Sequence, residues 1–327
     1  MSLTKKNIAL LTIFLIIVYF CLMFFFLPES IVGARDENLR LYVPKILFLA
    51  LTAALTTCFV LIVLLKREFI EAQKATFNRY KYYLFSVVRR DYMSRYRGSV
   101  LGVLWSLLHP VLTMLVTTAV FSYLFRFNIE YFPVYFFSGQ LIWGLFNEST
   151  SLAMSSVIGA EGIIRKIYIP KYIFPLSKVI SSAINLCFLF LAYLVIFAVM
   201  GVPFNWTMVL IPIPLIYTLI FALGVAMFMS AVAVFFRDTI YLYSVLLTMW
   251  MFLTPIMYPV DILPPWLIPY YGFNPLYHFV DYFRSVAMWG TVPDLWSNLV
   301  CIGFAMASFC IGIYVFMTKQ NRFLLYL

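Results

Sequence analysis

Residues 85–110 read FSVVRRDYMSRYRGSVLGVLWSLLHP, and this stretch decides the class of the whole chain. Arg89, Arg90, Arg95 and Arg97 are interspersed with Phe85, Val87, Val88, Tyr92, Met93 and Tyr96. Wound as a helix, the first half acquires one charged face and one apolar face. Gly98 permits a sharp turn, and from Val100 an apolar run begins that suits entry into a bilayer. Two roles fit the four arginines. One is a helix lying at a membrane surface, its guanidinium groups toward headgroups or a partner. The other is a positive flank that fixes the orientation of the next span.

The rest of the composition agrees with a membrane setting. Of 327 residues, 64% are hydrophobic and only 11% charged, where a soluble domain carries about 25% charged residues. Mean hydropathy is +0.97. The chain is therefore expected to be an all-α polytopic membrane protein. The formal charge of +10 does not point to nucleic acid, because the basic residues cluster at the ends of apolar runs. Cys21, Cys58, Cys187, Cys301 and Cys310 lie inside apolar runs without CxxC spacing, so neither a metal site nor a disulfide framework is expected.

Taken outward from residues 85–110, the pattern gives eight spans. Ile8–Leu27 and Ile46–Leu65 are uncharged runs of 20 residues each, and the first reads as an uncleaved helix rather than a signal peptide. Residues 66–97 carry nine Lys/Arg against three acidic residues, which places them on the cytoplasmic side. Val100–Phe125 is the third span, with a kink expected at His109-Pro110. Phe132–Ala160 is the fourth and holds Glu148, a carboxylate that is costly in a membrane unless paired or hydrated. Asn147, Ser149, Thr150 and Ser151 are expected to solvate it. Between Lys178 and Arg237 lie 58 residues without a charge, enough for two spans turned around Gly201-Val202-Pro203. Thr239–Tyr258 and Leu295–Thr318 complete the set.

Two connections are more than turns. Residues 159–178, GAEGIIRKIYIPKYIFPLSK, form a patterned basic loop. Residues 259–296 are rich in Pro, Trp and Tyr and read as a re-entrant or interfacial excursion on the outer side. Trp266, Tyr270 and Tyr271 there suit interface anchors as well as ligand contacts. Asp281 and Arg284 are spaced i,i+3, which fits mutual neutralisation on one helix. With both termini cytoplasmic, 18 Lys/Arg fall inside and five outside, as the positive-inside rule requires. No internal repeat is visible, so an inverted-repeat secondary transporter is not supported.

From Tyr82 onward, over about three quarters of its length, the chain resembles the permease subunits of ABC-2-type polysaccharide exporters. Four stretches carry the resemblance, in family order and spacing: RRDYMSRYRGSVLGVLWSLLHP (89–110), IIRKIYIPKYIFPLS (163–177), FFRDTIYLYSVLLTMWMFLTPIMYPVDILP (235–264) and GFNPLYHFVDYFRS (272–285). The family core has six spans, matching spans three to eight. The resemblance thus divides the chain into a two-span extension over 1–75, an amphipathic interface helix over 76–98 and a six-span core over 99–327, with a re-entrant outer segment over 259–294. It also implies a homodimer in the bacterial cytoplasmic membrane, exporting O-antigen, capsule or teichoic acid chains. Two copies of a separate ATPase would hold the ATP and Mg. The chain itself has no GxxxxGK[ST] motif and calls for no cofactor of its own.

The resemblance assigns roles by position. Glu161, Arg165, Lys166, Tyr168 and Lys171 would belong to the loop that docks on the ATPase, with Arg237 and Asp238 as a second contact. Residues 261–287, including Trp266, Tyr270 and Tyr271, would cap the pathway outside. Sugar rings have apolar CH faces that stack on aromatic rings without one fixed hydrogen-bond geometry. Phe121, Tyr123, Phe125, Phe136, Phe137, Trp143, Phe146, Trp250, Phe252 and Tyr258 are therefore candidates to line a glycan pathway at a dimer interface. Arg89, Arg90, Arg95 and Arg97 suit the phosphate of a lipid carrier as well as headgroup anchoring. Other readings left open by the sequence are an ABC-2 exporter of a small molecule or lipid, a membrane-embedded glycosyltransferase and a membrane scaffold.

Overall fold

A computed structural model of the protein describes residues 67–96, 102–121, 129–264 and 268–327. The two expected N-terminal spans lie outside the described residues, as do Arg97, Tyr123, Phe125 and Trp266 and the side chain of Arg95. The chain divides into two compact units, residues 1–79 and 80–327. Of the first, residues 67–79 are described and are helical; the second contains all the later elements.

All regular elements among the described residues are helical. Besides short 3-10 turns, the α-helices in chain order are α1 (Arg67–Tyr96), α2 (Trp105–Ala119), α3 (Phe132–Met154), the short α4 (Ser156–Gly159) and α5 (Glu161–Ile164), α6 (Ile173–Val199), α7 (Pro212–Phe235), α8 (Thr239–Phe252), the one-turn α9 (Ile268–Tyr271), α10 (Pro275–Ala287), α11 (Leu295–Lys319) and the one-turn α12 (Phe323–Tyr326).

The helix starts follow local chemistry. Asn274 caps α10 by accepting from the Leu276 N–H, with Pro275 in the first turn, where its missing donor costs nothing. Asp294 caps α11 by accepting from the Ser297 N–H. At the end of α6 the chain reverses through Gly201 at φ 69°, within the expected Gly201-Val202-Pro203 turn.

α3 is the central helix. Sixteen of its 23 residues are buried, against α6, α7 and α10. α7 and α11 pack backbone to backbone. A Cβ on Gly312 would stand 2.0 Å from the Gly224 carbonyl oxygen, and one on Gly224 would stand 2.3 Å from the Ser308 carbonyl carbon. Small residues permit this close approach where lipid supplies no hydrophobic drive between helices.

By length and apolar composition, three helical segments can cross a membrane: Ile173–Val199, Trp206–Phe235 and Leu295–Tyr326. α3 is long enough, but Gln140, Asn147 and Glu148 leave it too polar to join them by composition, and it is surrounded by other helices. The seventh expected span is shorter than the sequence suggested. α8 ends at Phe252 rather than Tyr258, because Pro255 cannot continue a helix. Its 14 residues span about 21 Å, against about 30 Å of hydrocarbon. α2 runs through Pro110 as one helix, and His109 is exposed on it. The outer excursion is a packed element: α10 buries Leu276, Phe279, Val280, Tyr282, Phe283, Arg284, Val286 and Ala287.

Candidate coupling surface and translocation face

At the end of the bundle where the basic residues gather, the chain between α3 and α6 turns out as a tip. Ile164 and Ile169 tuck into the protein, which forces Arg165, Lys166, Ile167 and Tyr168 outward. Tyr168 is 89% exposed and Ile167 60%. Glu161 and Arg165, one turn apart on this segment, form an ion pair of 2.8 Å, which holds the tip's shape more than it adds stability. The tip is also tethered from α1: the Tyr80 hydroxyl donates to the Tyr168 carbonyl at 3.1 Å. Arg237 and Asp238, with Phe236, form a second exposed turn between α7 and α8.

Lys171 departs from the role expected for it. It faces the protein and donates from Nζ to the Gln320 carbonyl at 2.6 Å, at the C-terminal end of α11, with Nζ 5.8 Å from the Phe323 ring centre. Helix C-termini leave carbonyls unpaired and carry partial negative charge, so a lysine is drawn there instead of to solvent. Burial pulls its ammonium below the ordinary lysine range.

α1 lies against this end through Leu84, Val87 and Val88, all buried. Asp91 of α1 pairs with Lys178 of α6, and the Tyr92 ring stacks on Phe188 at 6.1 Å. Arg89 and Arg90 remain exposed, beside the exposed Tyr82, Phe85 and Met93. The greasy face expected from the sequence is thus split. One edge packs on the protein and the other stays on its surface.

At the opposite end, Arg284 is 3% exposed and makes four hydrogen bonds. Nε donates to Ser138 Oγ at 3.2 Å, Nη1 to the Pro255 carbonyl at 2.8 Å, and Nη2 to the carbonyls of Tyr135 and Ile256 at 3.1 and 3.0 Å. Its guanidinium stacks 3.5 Å from the centre of the Tyr135 ring. Burial pulls its pKa down to about 10, which leaves it charged at neutral pH. The expected Asp281–Arg284 ion pair is not formed: among the described residues no ion pair joins them. The segment after α8 has given up helical hydrogen bonding at Pro255, so its carbonyls need donors, and Arg284 supplies them. Gly139 leaves the room, since a Cβ there would stand 3.0 Å from Nη2.

Asn274 does the same for the end of α8. Its Nδ2 donates to Thr254 Oγ1 at 3.0 Å, and its Oδ1 accepts from Trp250 Nε1 at 2.9 Å. Tyr258 donates to the Phe252 carbonyl at 2.6 Å and meets the Tyr271 hydroxyl at 3.0 Å. Tyr271 is buried and Tyr270 exposed.

The aromatic candidates separate by placement. Phe136, Phe137, Trp143 and Phe146 lie in the protomer's interior. Phe137 stacks on Tyr193, and Phe146 meets Phe221 and Trp250. They build the core around α3 and leave no ring face at the surface for a sugar, a correction to the pathway role expected of them. Phe121 is half-buried and stacked on Phe132 at 6.1 Å. Trp250 and Tyr258 are partly covered, and Phe252 is 63% exposed.

α3 also brings polar groups to the surface. Toward the basic end, Gly144, Asn147, Glu148, Ser151 and Ser155 reach the surface along one strip at helical spacing. Ser151 Oγ donates to Asn147 Oδ1 at 3.4 Å, and a Cβ on Gly144 would meet nothing within 4 Å. Glu148 is held from α6 rather than by its sequence neighbours: Asn185 Nδ2 reaches its two oxygens at 2.9 and 3.2 Å. Thr150 instead donates to the Phe146 carbonyl of its own helix. α2 and α8 expose apolar faces, Leu112, Leu115 and Val116 on one and Leu242, Val245, Leu246 and Met249 on the other. Among the described residues, no group of three His, Cys, Asp or Glu gathers to hold a metal ion.

Sequence reasoning missed the tertiary partners Asp91–Lys178, Asn185–Glu148 and those of Arg284. The one signal available was charge: an acid inside a basic helix, a lysine opening an uncharged run, and a lone arginine in an apolar helix.

The model of the ABC-2 type transporter family matches residues 82–288, more than half of the chain. The O-antigen export system permease protein of Myxococcus xanthus is 35% identical over 187 residues, covering 56% of this chain and 70% of that protein. That of Klebsiella pneumoniae is 29% identical over 74% of this chain and 95% of its own length. The polysialic acid transport protein of Escherichia coli is 22% identical over 79% of this chain and 98% of its own length.

Proposed function

Because the chain belongs to the ABC-2 type transporter family, we propose that it is the membrane subunit of an ATP-driven exporter of a lipid-linked cell-surface polysaccharide. The observation that carries this reading is the match over 95% of the length of a permease named for O-antigen export. The match to a polysialic acid transport protein supports the same class of cargo.

The geometry supports a division of labour. The basic end is cytoplasmic by its charge. Its exposed tip, Arg165–Tyr168, and the turn at Arg237 and Asp238 offer cations and apolar side chains to an ATPase, which supplies ATP hydrolysis from its own nucleotide and Mg. Arg89 and Arg90, exposed on the interface helix, suit the phosphate of a carrier lipid. A glycan's hydroxyls need hydrogen-bond partners at membrane depth, and the strip from Gly144 to Ser155 offers amide, carboxylate and hydroxyl groups. The apolar outer faces of α2 and α8 support a second copy that closes the path, with Phe252 as its exposed aromatic. The segment held by Arg284 and Asn274 caps the outer end.

The test is depletion of this protein in its native cell, with mass spectrometry of lipid-linked glycans in the isolated cytoplasmic membrane. The reading predicts loss of one surface glycan and accumulation of its lipid-linked form. Unchanged surface glycan, with accumulation of a small molecule or lipid instead, would assign a different cargo.

A further inference from the structure

The last eight residues tie together the two elements just assigned to the ATPase. Phe323 is fully buried. Its ring meets Phe316 of α11 at 5.3 Å and Phe235, the last residue of α7, at 5.8 Å. Lys171, three residues past the exposed Tyr168, sits over the same ring and donates to the Gln320 carbonyl. Tyr326 packs edge-on against Phe235 at 4.8 Å, immediately before the turn at Phe236, Arg237 and Asp238. Leu327 closes the cluster and is buried. The tip is thus fixed to the C-terminal segment through Lys171, and the turn is fixed to it through Phe235.

We propose that residues 320–327 are a strut that locks the tip and the turn into one rigid docking face, with Phe323 as its pin and Lys171 as its tie. Neither element is long enough to hold its own position: the tip follows one-turn helices, and the turn is three exposed residues. A push received at one would otherwise be absorbed as local bending. Through the strut it moves α6, α7 and α11 together. The coupling role rests on the reading that these elements meet an ATPase; the rigidity does not.

The experiment keeps the two apart. Cysteines replace Tyr168 and Asp238 in a chain whose five native cysteines are removed. Both are spin-labelled, and the distance distribution is measured by double electron–electron resonance. One narrow distribution is expected, and Phe323→Ala should broaden it about twofold by freeing the segment locally. Lys171→Met, which keeps the stem and loses the hydrogen bond, should broaden it less, and Phe323→Leu guards against simple misfolding. Distributions unchanged in every variant would overturn the strut. Co-purification of an ATPase is scored separately. Broadened distributions without any ATPase would leave the strut standing and remove the partner. With an ATPase bound, Lys171→Met should leave binding intact and lower transport per ATP at least about fivefold; an unchanged ratio would overturn the coupling role.

Discussion

Arg284 is a buried cation that joins α10 to α3 and to the segment after α8. A buried cation usually needs a carboxylate, because desolvation is costly. Here three backbone carbonyls, one hydroxyl and an aromatic face substitute for it. Arg284→Ala would leave several buried acceptors without donors, at about 1–3 kcal/mol each. We expect a total loss of about 4 kcal/mol, seen as a lower unfolding midpoint in detergent. Arg284→Lys keeps the charge but cannot reach all four acceptors from one point, so it should recover less than half. The arginine was visible in the sequence; its partners were not. An i,i+3 carboxylate is a local feature, whereas the carbonyls of Pro255 and Ile256 come from a break in a distant helix.

His278 gives this end of the molecule a pH dependence. It is half-buried, stacked on Phe304 and hydrogen-bonded to the Gly272 carbonyl. Burial holds its imidazole below the ordinary value of 6.5. The folded form therefore binds the proton more weakly than the unfolded chain. The contribution of His278 to stability is fully present above 6.5 and is lost as the pH falls from there toward the folded value. The unfolding midpoint should drop as the pH falls below about 6.5, and His278→Gln should flatten the curve. Asp281, raised by burial above 3.8, contributes in the opposite sense.

At the scale of elements, the contact between α7 and α11 is the least forgiving. Gly312→Ala would place a methyl 2.0 Å from a carbonyl oxygen. Neither backbone can yield without moving a whole helix, so we expect a loss of roughly 3 kcal/mol, the upper part of the range for overpacking. Gly144→Ala is the matched control: its Cβ meets nothing within 4 Å inside a helix, so it should be neutral to stabilising, by up to about 1 kcal/mol. Fluorescence-detected size exclusion during heating compares the two. Helices as such were legible, because long uncharged runs between basic ends leave few alternatives. Where they stop was less so: α8 ends near Pro255, and α3 reads as a span although its surroundings are protein. The rings of α3 were assigned to the pathway because composition does not tell a ring that faces a neighbour helix from one that faces a cavity.

For the whole molecule, the family and the polar-to-basic layout were readable in the four matched stretches, and the comparisons bear out the family. What the stretches did not carry is how they assemble: the clasp of Asp91 on Lys178, the contact of Lys171 with Gln320 and Phe323, and the polar strip of α3. Each joins residues far apart in the chain or depends on such neighbours, and one sequence holds no record of those pairings.

On the proposed reading, this chain works with a separate ATPase through the Arg165–Tyr168 tip. The direct measurement is affinity purification from native membranes, with and without cross-linking, for the native chain and for Arg165→Glu/Lys166→Glu. A P-loop ATPase should co-purify in equal copies with the native chain, and charge reversal should weaken that association at least about tenfold while the chain stays inserted. Absence of any ATPase after cross-linking, or full retention by the charge-reversed chain, would rule out docking through this tip.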